Sequence, residues 1–215
     1  IEATTFASAP LIYYYRHHRS LEAVWKYVMI CSVGIGFSLI GNIFILAAFP
    51  GSDSNVTLSF HAIKSKVLTL DPNWIKVAFV FFVVGYGTKA GLAPMHSWLP
   101  SAHAESPAFI SALLSGALLN CAFLGIYRTQ EICHAAGIGD FSGNVLILLG
   151  CVSTFISAIM MIGQRDYKKM LAYSSVEHMG LSAIALGLGV VGIFAMILHL
   201  ISHSLSKGML FLTSG

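Results

Sequence analysis

The stretch LHLISHSLSKGMLFL, residues 198–212, sets His199, Ser202, His203, Ser206 and Lys207 at i, i+3, i+4, i+7 and i+8. On a helix that spacing draws one polar stripe along an otherwise apolar rod. At 1.5 Å per residue the stripe is roughly 12 Å long. A row of groups that gain and lose protons easily can pass a proton along itself. Histidine does so near neutral pH. A lysine does so when desolvation weakens its hold on the proton and a carboxylate restores it. Other ionisable groups stand in apolar runs. Glu177 and His178 sit in LAYSSVEHMGLSAIAL, Lys89 follows WIKVAFVFFVVGYG, and Glu2 opens the first apolar run.

The elements that must hold these groups are apolar. The 215 residues are 56% hydrophobic and 10% charged, with mean hydropathy +0.79. Soluble domains carry about 25% charged residues, so lipid is the expected solvent. Seven apolar segments are legible, at 1–14, 24–49, 74–95, 107–127, 143–163, 170–188 and 190–213. Long unbroken runs, without period-two alternation, predict helices rather than strands. The expected fold is an all-α, polytopic transmembrane bundle of seven spans. The chain reads as a single transmembrane domain, 1–215, and as an internal fragment of a longer subunit. A net charge of +3 gives no reason to expect nucleic acid.

Basic residues set the expected orientation. Arg16, Arg19 and Lys26 cluster before the second span, and Arg165, Lys168 and Lys169 in QRDYKK before the sixth. Counting spans puts both on one side, the cytoplasmic one. The 50–73 loop, with Asp53, Lys64, Lys66 and Asp71, falls on the other side. So does the 128–143 loop, with Arg128, Glu131 and Asp140.

A charge near the centre of a spanning helix costs about 2.5–3.5 kcal/mol on insertion scales. Lys89 is such a charge, and Pro94 follows it in GTKAGLAPMHSWLP. Proline lacks the donor a helix needs, so the third span is predicted to break just after Lys89. A break at membrane depth fits where backbone lines a cavity or is buried in protein. The sixth and seventh spans should form an antiparallel hairpin about the GLGVVG turn, Gly187 to Gly192. That brings Glu177 and His203 to similar depth, and a Glu–His–His–Lys relay follows if they share a face.

Blander readings compete at each position. Lys89 could snorkel to an interface, and each histidine could be a packed core residue. His199 and His203 could bind zinc or haem, but no H-E-x-x-H carboxylate accompanies them, and no metal is assigned. Cys31, Cys121, Cys133 and Cys151 lie far apart and read as buried apolar thiols. GLGVVG matches G-x-G-x-x-G but follows no strand, so it reads as a turn. Gly34, Gly36 and Gly41 read as close helix packing. Asn55-Val56-Thr57 is a formal glycosylation sequon.

Three stretches carry a family resemblance. GTKAGLAPMHSWLPSAHAESPAFISALL, DYKKMLAYSSVEHMGL and HLISHSLSKGMLFLTSG resemble the antiporter-like membrane subunits of respiratory NADH:quinone oxidoreductase. That family includes Mrp-type sodium/proton antiporter subunits and membrane arms of energy-converting hydrogenases. SSVEHMGL and ALLSGALLNCA look most like the hydrogenase-4 component F branch. The resemblance implies a proton-translocating subunit of a redox-driven complex in the cell (inner) membrane. It implies a glutamate–lysine pair at Glu2 and Lys89, and an onward stripe at His199, His203 and Lys207. The proton-transfer set is then Glu2, Lys89, Glu177, His178, His199, His203 and Lys207, with Pro94 at the helix break. Where many relatives carry a lysine or histidine in the next helix, this chain has Ser115 and Asn120. The resemblance implies no cofactor in this chain, which would be a non-redox subunit. Its implied partners are other membrane-arm subunits, a peripheral redox module, the bilayer, and protons or sodium. The alternatives are a sodium/proton antiporter without redox coupling, a bis-histidine haem anchor, and a structural scaffold.

Overall fold

The computed structural model describes residues 2–49 and 59–215, all of whose regular structure is helical. The sequon at Asn55 lies outside the described residues. Ten α-helices follow one another: α1 (Glu2–Ile12), α2 (His18–Ala47), α3 (Phe60–Lys66), α4 (Pro72–Ala90), α5 (Trp98–Glu105), α6 (Ala108–Leu113), α7 (Leu119–Ala135), α8 (Gly139–Ile162), α9 (Tyr167–Gly187) and α10 (Val190–Leu212). A π-helical turn, Leu114–Leu118, joins α6 to α7 in one rod. Each of the seven apolar segments carries a helix. Four rods are long and apolar enough to cross a membrane: His18–Ala47, Ala108–Ala135, Gly139–Ile162 and Val190–Leu212. The other three expected spans fall on α1, α4 and α9, which are shorter or more polar. The fold is an all-α membrane bundle.

The arrangement explains why α4 and α9 can be polar. Helix α4 packs between α2 and α7, and α9 between α8 and α10. The rods carry apolar outer faces: Met29, Val33, Leu39 and Ile43 on α2, and Phe194, Ile201, Leu205 and Met209 on α10, are exposed. The inner face of α2 is narrow and mostly small, with Ser20, Ala23, Tyr27, Cys31, Gly34, Ser38, Gly41 and Ile45 buried. Small residues let backbones approach closely, which is how helices associate in lipid. A Cβ on Gly85 of α4 would stand 2.6 Å from the Gly34 carbonyl, and one on Gly41 3.0 Å from the Phe82 ring. Gly36 departs from the expectation, since a Cβ there meets nothing within 4 Å. Helices α8 and α9 meet still more closely. A Cβ on Gly150 would stand 2.6 Å from the Gly180 carbonyl, and one on Gly143 2.7 Å from that of Gly187.

The two ends of the bundle differ in charge, and each collects the loops expected to share it. Arg19, Lys26, Glu105 and Lys169 line one polar depression of about 230 Å³. At the other end Lys64 and Glu131 pair at 3.1 Å. Residues Leu188 and Gly189, with Gly189 at φ +80°, link α9 to α10, so GLGVVG is the tight turn of a helical hairpin. Of the four cysteines, Cys31 and Cys133 are buried as expected. Cys121 and Cys151 are exposed, because they lie on the outer faces of α7 and α8.

Candidate functional site

The break after Lys89 is present, but Pro94 does not make it. Helix α4 ends at Ala90 because Gly91 adopts φ +79°, which only glycine takes without strain. The Leu92 amide then donates to the Gly87 carbonyl at 2.8 Å, closing the turn. Pro94 lies three residues further on, in the connection to α5. Its polar backbone is satisfied by neighbours, as buried backbone must be. The Ala93 amide donates to Ser153 Oγ of α8 at 2.9 Å. The Trp98 indole donates to the Thr88 carbonyl at 2.8 Å.

Lys89 is buried at 1% exposure and does not snorkel. Its Nζ donates to Thr5 Oγ1 at 2.6 Å and to the Tyr27 hydroxyl at 2.8 Å. It lies 4.4 Å from the centre of the Tyr27 ring, within cation–π range. Tyr27 shares a further hydrogen bond with Ser8 at 2.7 Å. The expected Glu2 partner is close in the fold yet not paired. Glu2 Oε1 accepts from Ser32 Oγ at 2.7 Å, and Oε2 is buried without a hydrogen-bond partner. Among the described residues the ion pairs are His17–Glu105, Lys26–Glu22 and Lys64–Glu131, all near the ends of the bundle. Lys89 is therefore held by neutral hydroxyls and an aromatic face.

A second cluster lies between α9 and α10. His178 Nδ1 and His199 Nε2 are 3.1 Å apart. The His178 ring centre is 5.4 Å from that of His203. Lys207 is 2% exposed and donates to the Leu171 carbonyl at 3.1 Å. His203 is 2% exposed, with neither ring nitrogen hydrogen-bonded. The depth expected for the sixth and seventh spans is met, but His178, not Glu177, turns toward α10. One residue is about 100° of helix, so Glu177 is carried to the side. Among the described residues no hydrogen bond or ion pair joins it to Lys207, whose ammonium is held by the Leu171 carbonyl. The stripe on α10 is also narrower than the spacing suggested. Ser202 and Ser206 are exposed, and Ser206 Oγ bonds the Ser202 carbonyl of its own helix at 2.7 Å. No group of three or more His, Cys, Asp or Glu among the described residues is placed to hold a metal ion.

The π-helical turn lies between the two clusters. Leu114, Ala117 and Leu118 line a cavity of about 440 Å³ with Lys89, Ser8 and Leu113. On its other side Ser115 Oγ bonds Ser175 Oγ of α9 at 2.9 Å. Asn120 donates to the Gly116 carbonyl at 3.1 Å and to Ser204 of α10. Ser115 and Asn120 thus tie the turn to α9 and α10.

Sequence reasoning missed His103. It lies on α5, fully buried, with both ring nitrogens lacking a hydrogen-bond partner, stacked 4.6 Å from Phe211 of α10. Its ring partner Phe211 lies one turn beyond Lys207 on α10. The signal was a histidine seven residues past His96 in a short segment after the break, which a search for spanning stripes passes over.

Residues 1–215 match the family described as NADH:quinone oxidoreductase/Mrp antiporter, TM. The chain belongs to this family. It is 39% identical to the "Hydrogenase-4 component F homolog" of Methylacidiphilum infernorum, over 100% of this chain and 46% of that protein. It is 33% identical to "NADH-quinone oxidoreductase subunit N" of Desulforudis audaxviator, over 100% of this chain and 42% of that one. The chain therefore spans less than half the length of these curated relatives. The fold matches a chain of the archaeal membrane-bound sulfane sulfur reductase, with TM-score 0.88 at 24% identity, over 97% of this chain and 42% of that one. It also matches a chain of respiratory complex I from Thermus thermophilus, with TM-score 0.80 at 22% identity, over 99% and 44%. Members of this antiporter-like family span the membrane as helical bundles, and the four long apolar rods fit that description.

Proposed function

We propose that this chain is the central part of a proton-translocating membrane subunit of a redox-driven complex, of hydrogenase-4 or NADH:quinone oxidoreductase type. The observation that carries the reading is Lys89. It is buried at a helix break in hydroxyls and aromatic rings, without a carboxylate in contact, inside a chain that matches the family along its whole length. Burying an ammonium in this way is costly, and transport gives a reason to keep it. Electron transfer belongs to partner subunits, and this chain binds no cofactor in the reading. Its partners are other membrane subunits and a peripheral redox module, in the cell (inner) membrane.

The chemistry follows from the two clusters. Thr5 and Tyr27 are each donor and acceptor, so they solvate Lys89 whether or not it carries its proton, and Ser8 holds the Tyr27 hydroxyl from behind. A shift of Glu2 from Ser32 toward Lys89 would hold the proton, and its return would release it. The groove beside Lys89 is walled mainly by Leu, Ile and Ala and opens to the outer face of the bundle at Leu11, Leu113 and Cys121, so its apolar wall keeps water from the ammonium on that side. Past the cavity, Ser115 and Ser175 lead to His178, which shares a proton with His199 and lies against His203. Lys207 ends the row.

The test is redox-driven proton uptake in inverted membrane vesicles, comparing the intact complex with a Lys89→Ala variant at equal abundance. Fewer protons per electron, with assembly intact, supports the reading. Unchanged pumping makes Lys89 a packing residue and ends it. Sodium-dependent transport without an electron donor would instead favour an Mrp-type sodium/proton antiporter.

A further inference from the structure

His103 is a buried ionisable group outside the row of Lys89, His178, His199, His203 and Lys207, and its surroundings are specific. Ser111 Oγ donates to its backbone carbonyl at 3.1 Å, and Ser111 and Ser106 share a hydroxyl hydrogen bond at 2.6 Å. The Ser106 carbonyl accepts from Lys168 Nζ at 3.1 Å. Lys168 is half-buried, the second residue of α9, at the end of the bundle that carries Arg19 and Lys169. Three residues further along α9 is Leu171, whose carbonyl holds Lys207. Ser175 and His178 follow on the same face, at the next steps of four and three. Lys168, Lys207, Ser175 and His178 therefore form one seam, roughly 15 Å long at 1.5 Å per residue. His103 lies on α5, three residues before Ser106, whose carbonyl holds Lys168, and its ring stacks at 4.6 Å on Phe211, one turn beyond Lys207 on α10. Both of its ring nitrogens are buried and unbonded.

We propose that His103 carries protons between the Lys168 end of the bundle and the buried row of Lys207, His203, His178 and His199, giving that row access to the basic-loop face without passage through Lys89. The inference rests on the proton-translocating reading. In the step, a neutral imidazole takes a proton on one nitrogen from water beside Lys168 or Ser106. It then gives up the proton on its other nitrogen toward Lys207. The ring ends neutral as the opposite tautomer and resets by rotating or by the reverse exchange. An imidazole suits this place because it is donor on one side and acceptor on the other. Its close ring neighbour among the described residues, Phe211, offers no competing hydrogen bond.

The experiment uses the whole complex in inverted vesicles, with proton uptake followed over a single redox turnover. His103→Gln keeps a polar side chain but cannot carry a proton. The expected result is uptake slowed at least ten-fold, and loss of an imidazole protonation band from the time-resolved infrared difference spectrum. A residual uptake should persist in Lys89→Ala and disappear when His103→Gln is added. Wild-type uptake in His103→Gln, with Lys207→Ala impaired, overturns the role of His103 and leaves the wider reading standing. Wild-type uptake in both variants overturns the role of His103 and takes the whole row out of the path, and Lys89→Ala then decides the wider reading by itself. If His103→Gln does not assemble, Lys168→Gln and Ser111→Ala decide the matter. Slowed uptake in them supports the path, and unchanged uptake overturns it.

Discussion

The hydroxyl of Tyr27 lies 2.8 Å from the ammonium of Lys89, and the centre of the same ring lies 4.4 Å from it. One side chain from α2 thus supplies both a hydrogen bond and a cation–π surface to a lysine on α4. Tyr27→Phe keeps the ring and removes the bond. A hydrogen bond to a charged group contributes about 1.5–3 kcal/mol, so that much stability should be lost in detergent unfolding. Tyr27→Leu, which removes the ring too, should lose more.

Gly91→Ala tests what ends α4. Alanine at φ +79° is strained by about 1–2 kcal/mol. Its Cβ would also stand 2.7 Å from Leu99 Cδ1. The expected outcome is a lower melting temperature and less assembled complex. Pro94→Ala should leave the end of α4 in place, as read by the accessibility of a cysteine substituted beside Lys89.

Ser153→Ala deletes one methylene-borne hydroxyl on α8 and leaves the Ala93 amide buried without its acceptor. An orphaned buried donor costs about 1–3 kcal/mol. Ser153→Thr retains the acceptor and should recover most of that loss in the same thermal measurement.

Glu177→Gln and His178→Gln are neighbours in sequence but not in surroundings. His178 touches His199 and lies against His203, whereas Glu177 makes no hydrogen bond among the described residues. Pumping per electron should fall several-fold more in His178→Gln than in Glu177→Gln. The reverse order would place the row on the other face of α9.

Much of this was legible in the chain. Apolar run length found the helices, and the periodicity of residues 199–207 found the inner face of α10. Depth was legible too, because a tight glycine turn fixes how two helices align. Rotation was not. Glu177 and His178 are adjacent letters, and which one faced α10 depended on how α9 sits against α8, a contact the local spacing does not encode. The break was placed correctly but assigned to Pro94, since a proline's effect can be read from its chemistry while a glycine's depends on the φ it adopts. His103 was missed because its helix is too short to show a stripe. Its isolation is a property of packing, with α5 wedged against α2 and α9.

The contact of α8 with α9 has a consequence for the histidines. Gly180 and Gly187 lie a heptad apart, so they share a face with a drift of only about 20°. His178 stands roughly 160° around from Gly180. One side of α9 is therefore a flush datum, backbone on backbone, and the other bears all the instruments. The distance from that datum to His199 has no slack in it. A methyl group added at Gly180 would displace the far face as a whole, so the smallest residues on α9 gauge how near its largest polar ones come to their partners.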